Sequence, residues 1–176
     1  MSTFRTVDAK TEALANSICG RFRYDLTNAK VTFSVLFAHA PRDKNDEPKG
    51  PAIKHGGYAA AGLCRISSHR DRVEGKTDFT IILDGDQWPE WTDRRREAVI
   101  MHELLHPELV RDQDGGIVLD DCHRPKLKMR LHDVQIGTFD RVAEVYGEDS
   151  IDAEQLIIAA RKCEQLEFEF QVAEVA

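Results

Sequence analysis

The chain has 176 residues, of which 41% are hydrophobic and 31% charged, and its formal net charge is −7. That length suits one ordinary domain able to bury its own core, and the balance is globular rather than disordered. The acidity argues against a nucleic-acid scaffold, because binding phosphates needs a basic surface. The only dense basic run, Arg94, Arg95 and Arg96, reads as the solvated start of a helix. Cys19, Cys64, Cys122 and Cys163 stand far apart without a CxxC pair. This excludes a disulfide framework and a zinc ribbon, and fits a reducing, cytoplasmic setting. The N-terminal MSTFRTVDAK has no apolar signal core, and no stretch reaches the roughly 18 apolar residues of a membrane span.

In chain order, residues 8–23 space Ala13, Leu14, Ile18 and Phe22 at helical intervals and predict an amphipathic helix. VTFSVLFAH (31–39) is β-branched and aromatic, hence a strand. Residues 40–57 are polar and rich in proline and glycine, an exposed loop. YAAAGLCRIS (58–67) predicts a second strand, SHRDRVEGK a turn, and DFTIILD (78–84) the clearest strand. After a turn at GDQWPEW, residues 93–106 form a helix with Thr92 as N-cap, ended or kinked by Pro107. Trp88 and Trp91, which frame that turn, read as core packing or a hydrophobic staple. Residues 114–121 and 126–132 suggest a β-hairpin or an ordered irregular loop. Residues 133–146 predict a helix capped by Asp133 and stopped by Gly147, and 151–165 a last helix. With no repeat or linker, the expected architecture is a single α+β domain over 1–176. Its core spans about 8–147: a small antiparallel or mixed sheet packed on the 93–106 helix, with further helices.

The 93–106 helix carries HELLH. His102 and His106 are four apart, so both imidazoles project from one face, about one turn apart, and suit two positions on one tetrahedral zinc ion. Glu103 is turned about 100° from His102. It can therefore reach a water on the metal without binding the metal, and act as general base. Ala98, Val99, Leu104 and Leu105 can seat the helix on a core. Two histidines at this spacing around a glutamate are seldom plain core residues.

A catalytic zinc normally has three protein ligands and one open position. Downstream candidates are Asp120, Asp121, Cys122, His123, His132, Asp133 and Glu144. His132 is preferred: it precedes a helix N-cap, and its separation from His106 leaves room for an excursion that returns the chain to the metal. His123, in the hydrophilic DDCHRP stretch, and Glu144, which would give a two-histidine, one-glutamate site, are the alternatives.

Three segments, DFTIILDGDQW (78–88), TDRRREAVIMHELLH (92–106) and LHDVQIGTFDRVAEVYG (131–147), resemble the phage metallopeptidase family. The resemblance covers most of residues 10–147. It implies a zincin-like fold, with His102, His106 and His132 as metal ligands and Glu103 as base. The family's HDVEEF-like ending appears here as HDVQIGTF, with Gln135 near an expected glutamate. Pro107 replaces a residue that is often small or cysteine-like in relatives. The layout is also similar to SprT-like zincins, without their zinc ribbon.

In zincins an edge strand beside the motif helix takes the substrate as an added strand. The strand 78–84, or its neighbour, would fill that role here. Tyr146, His123 and Arg141 are candidate oxyanion donors. The expected function is therefore a zinc-dependent metallopeptidase acting on a protein or peptide substrate, away from membranes and nucleic acid. Its setting would be cytoplasmic, and that of a bacterial host if the chain is phage-encoded. The alternative is a non-catalytic, zinc-containing regulatory protein that sequesters a host factor.

Overall fold

The computed structural model describes residues 2–132. By Cα proximity the chain groups into two units, Met1–Arg130 and Leu131–Ala176, and every element below belongs to the first. The expected helices at 133–146 and 151–165 fall outside the described residues, as do Gln135, Arg141, Glu144 and Tyr146.

Strand β1 (Thr3–Thr6) leads into helix α1 (Ala9–Phe22). Asp8 starts that helix by accepting the Thr11 amide at 2.8 Å, the usual answer to unpaired N-terminal amides. A short α2 (Tyr24–Asn28) follows at once. Next come β2 (Phe33–His39), the two-residue strands β3 (Lys54–His55) and β4 (Tyr58–Ala59), and β5 (Gly62–Ile66). Helix α3 (His69–Val73) and strand β6 (Phe79–Asp84) precede the motif helix α4 (Asp93–Leu105). A hairpin of β7 (Pro107–Leu109) and β8 (Leu127–Met129) completes the described chain.

The main sheet has four strands in the order β1-β2-β6-β5. β2 and β6 are parallel, and the outer strands β1 and β5 run antiparallel to their neighbours. The fold is therefore α+β with a mixed sheet, as expected. Alternation along β6 aims Phe79, Ile81 and Leu83, all fully buried, at the helices. There they join Ile18, Leu26, Ile100 and Leu104 in one core cluster. Each such burial contributes about 1.5–3 kcal/mol, enough to fix the sheet's register against the helix layer. Trp88 and Trp91 belong to the same cluster, edge to face at 5.7 Å, which is the packing role expected of them.

Several expectations are corrected. SHRDRVEGK is not a plain turn: Ser68 and Asp71 form a reciprocal capping box that starts α3. The strand expected at 58–67 is two strands, β4 and β5, broken at residues 60–61. The hairpin pairs 107–109 with 127–129, with 114–121 inside the excursion between them. Ala98 and Leu105 face solvent, and α4 seats on the core through Ile100 and Leu104, with Val99 half-buried. Arg96 is half-buried and donates to the carbonyls of Trp88 and Pro89, both at 3.1 Å, so the arginine run also clamps the turn before α4.

A buried ionic centre ties the hairpin excursion to the sheet. Asp78, 1% exposed, receives Thr32 N at 2.7 Å, two nitrogens of Arg72 at 2.5 and 3.0 Å, and Arg124 at 2.8 Å. Arg72 also donates to Pro125 O, and Arg124 to Lys76 O. Burial alone would raise the Asp78 pKa. The Thr32 amide and the two guanidinium groups outweigh it and hold the carboxyl below its ordinary 3.8.

Candidate metal centre

Thr92 Oγ1 accepts the Arg95 amide at 3.2 Å and starts α4, as expected from the sequence. Nearly three turns further on, His102 and His106 share a face, with ring centroids 5.2 Å apart and planes at 79°. His102 is exposed and His106 half-buried, whereas Glu103, one residue round the helix, is only 4% exposed. The motif thus presents its two imidazoles outward and drives its carboxylate inward.

Strand β5 receives that carboxylate. A Cβ on Gly62 would stand 2.7 Å from Glu103 Oε1 and 2.9 Å from its Cγ, so only glycine leaves room for the side chain. The Cys64 backbone amide faces the Glu103 carboxylate and favours its charged form. The sheet register explains why that amide is available. Asp84 N bonds Ala61 O and Ser67 N bonds Asp78 O. The alternation of an antiparallel ladder then turns the backbone groups of Gly62, Cys64 and Ile66 away from β6. Burial raises the Glu103 pKa to about 7 from 4.5, with the Cys64 amide pulling the other way. A carboxyl near neutrality is suited to taking and returning a proton. The neighbouring Cys64 thiol is buried and pushed up to about 12, chiefly by burial, so it stays protonated.

Gly62→Ala is therefore expected to destabilise the protein. Removing a glycine from a strand gains about 0.4–1 kcal/mol through the unfolded chain. Overpacking of the kind the Glu103 contact imposes costs about 1–3 kcal/mol, so the loss wins. A lowered melting temperature checks it, and an unchanged or raised one contradicts it.

The helix end is held from two sides. Arg23, 8% exposed, donates to Leu104 O and, at 2.7 Å, to Pro107 O, while Asp25 binds its other edge at 2.8 and 2.9 Å. These carbonyls flank His106 and would otherwise lack helical partners. From the other side, Arg130 N donates to His106 O at 2.7 Å, and His106 Nδ1 meets Arg130 O at 2.9 Å. A carbonyl can only accept, so Nδ1 carries the proton and Nε2 the lone pair that a metal needs. Arg23→Met should cost about 1.5–3 kcal/mol, the scale of a lost charged hydrogen bond. Urea unfolding reads this directly, and an unchanged midpoint would refute the clamp.

Among the sequence-predicted residues, then, His102, His106 and Glu103 come together around one end of α4. The ligand atoms of the two histidines lie within 4.8 Å of each other. His132 is exposed and follows Arg130 by two residues. His123 is exposed in the 119–125 turn with a φ of 58°. Arg124 anchors that turn to Asp78, before the first residue of β6, whereas Gly62 and Glu103 lie opposite Leu83 near its end. Some five residues of strand, roughly 16 Å at 3.3 Å each, separate the two positions. Gly62, Arg23 and the Arg130 carbonyl carried no signal in the sequence. A glycine amid alanines, an arginine at a helix end and a backbone oxygen are each too common to single out.

The donor chemistry fits a metal: two imidazoles on one face, one with its tautomer set by a carbonyl, and a buried carboxylate beside them. The family model described as "Putative phage metallopeptidase" matches residues 6–161. The chain belongs to this family. No curated protein and no solved structure matches it. Membership of a metallopeptidase family implies a metal, and the described architecture is compatible with a zincin-like metallopeptidase fold.

Proposed function

We propose that the chain is a zinc-dependent peptidase in which His102, His106 and His132 hold the ion and Glu103 is the general base. The observation that carries this reading is the buried Glu103 carboxylate, seated against Gly62 and Cys64 beside the histidine pair. His102 and His106 supply two imidazoles with ligand atoms within 4.8 Å of each other, and a catalytic zinc calls for a third protein ligand. Arg130 touches His106, and two further residues reach at most about 7 Å, a span that suits a third ligand at His132. Zinc held there would polarise a peptide carbonyl and acidify a bound water. Glu103 takes the proton of the attacking water at a carboxylate oxygen and passes it to the departing amine. His106 keeps its orientation through the Arg130 carbonyl, and Arg23 keeps the helix end in place beneath it.

Substrate placement follows from the sheet. β6 lies between β2 and β5, so the strand 78–84 is interior and its neighbour β5 is the edge. An extended peptide laid along β5 would meet the outward backbone groups of Gly62 and Ile66, flanking the Cys64 amide that Glu103 faces. That register brings a peptide bond close to Glu103.

His132→Ala is expected to weaken zinc binding by on the order of 100-fold or more, beyond what losing a supporting contact costs. Competition with a chromophoric chelator measures it. Full occupancy with undiminished affinity would remove His132 from the ligand set.

A further inference from the structure

A second group of metal-type donors lies away from the HELLH site. His69 is the first residue of α3, and Asp120 and Cys122 sit in the turn closed by the Leu119–Pro125 bridge. One ligand atom from each, a ring nitrogen, a carboxylate oxygen and a thiol sulfur, lies within 4.8 Å of the others.

Both elements are anchored independently of any ion. The capping box fixes the start of α3. In the turn, Asp120 Oδ1 accepts Cys122 N at 2.9 Å and Arg124 N at 3.0 Å, and Asp120 N donates to Arg124 O at 2.9 Å. Arg124 then bonds Lys76 O and Thr32 Oγ1 on the body of the domain. Donors delivered by rigid elements need little ordering to converge on a ligand.

Asp120 Oδ2 is buried and ion-paired with Arg72 Nη1 at 2.6 Å, and the other nitrogens of Arg72 are committed to Asp78 and Pro125 O. That pairing fixes the carboxylate beside His69 and Cys122. Charge permits an ion here. Arg72 and Arg124 are balanced by Asp78 and Asp120, and Cys122 brings a further negative charge when a metal converts it to thiolate.

We propose that His69, Asp120 and Cys122 hold a second transition-metal ion, which fastens the hairpin excursion to α3. The mixed nitrogen, sulfur and oxygen set selects zinc or cobalt(II) over magnesium or calcium. A water completes the tetrahedron.

The test uses the full chain, reduced and stripped of metal, titrated with cobalt(II). The HELLH site contributes no thiolate, so a thiolate-to-cobalt charge-transfer band reports the second group alone. The band is expected in the wild type, in His102→Ala and in Cys163→Ser, and it should vanish in Cys122→Ser. A wild type without the band at saturating cobalt overturns the proposal, as does a band that survives Cys122→Ser. Should Cys122→Ser fail to fold, His69→Ala at an exposed position decides the matter. A band that titrates there with unchanged affinity removes the site.

Discussion

Glu103→Gln is expected to leave zinc bound and to lower peptide cleavage by about 10²–10⁴-fold, the usual contribution of a positioned general base. Glutamine keeps the volume and can still face the Cys64 amide with its carbonyl oxygen, so the seat against Gly62 is preserved. What it loses is the ability to take a proton. Zinc content and cleavage of a casein or unfolded-protein mixture, measured on the same sample, separate the two properties. Undiminished cleavage in the variant would sink the peptidase reading. Loss of zinc together with activity would show instead that Glu103 supports the metal.

The largest effect on stability is expected at Asp78. Asp78→Ala leaves Arg72, 7% exposed, and Arg124 facing one another without their shared carboxylate. Breaking a buried ion pair by removing one partner costs about 3–5 kcal/mol, against about 0–1 kcal/mol for a surface pair such as Arg70–Glu74. Denaturant melts of Asp78→Ala and Glu74→Ala side by side test the contrast, and equal midpoints would contradict it. The pH dependence has a definite sign. The folded-state pKa of Asp78 lies below 3.8, so its contribution is complete above the unfolded value and is lost as pH falls through the folded one. Wild-type stability should therefore drop in acid, and Asp78→Ala should show less of that drop.

The sequence disclosed the site more readily than the scaffold that supports it. HELLH is legible because helical geometry alone turns i and i+4 histidines onto one face, and Thr92 and Pro107 bracket the helix with local chemistry. DFTIILD was legible for a related reason: a short apolar, β-branched run bounded by aspartates reads as a buried strand whatever its neighbours are. The capping box at Ser68 and Asp71 was also on the page as S-x-x-D, but the charges around it mask so short a helix. Strand β1, exposed along its whole length, is held by pairing with β2 and not by its own pattern. Pairing of 107–109 with 127–129 joins residues about twenty apart through backbone bonds, which no side-chain pattern reports. Gly62 and Arg23 belong to the same class. The first matters for the space it leaves, the second for carbonyls that appear only once the helix has ended.

The paired bonds between His106 and Arg130 also bear on how this molecule can be altered. Both ends of the 107–130 excursion are pinned at its base, whereas the tip at 112–116 is exposed and its hydrogen bonds run within the tip or to the adjoining Arg111. Extra residues there add a closure cost of only about 0.6 kcal/mol for each doubling of loop length. A fluorophore tether or affinity tag inserted between Gly115 and Gly116 enters where the backbone already turns and the packed elements end. Exposed tips of this kind are where inserted sequence is best tolerated.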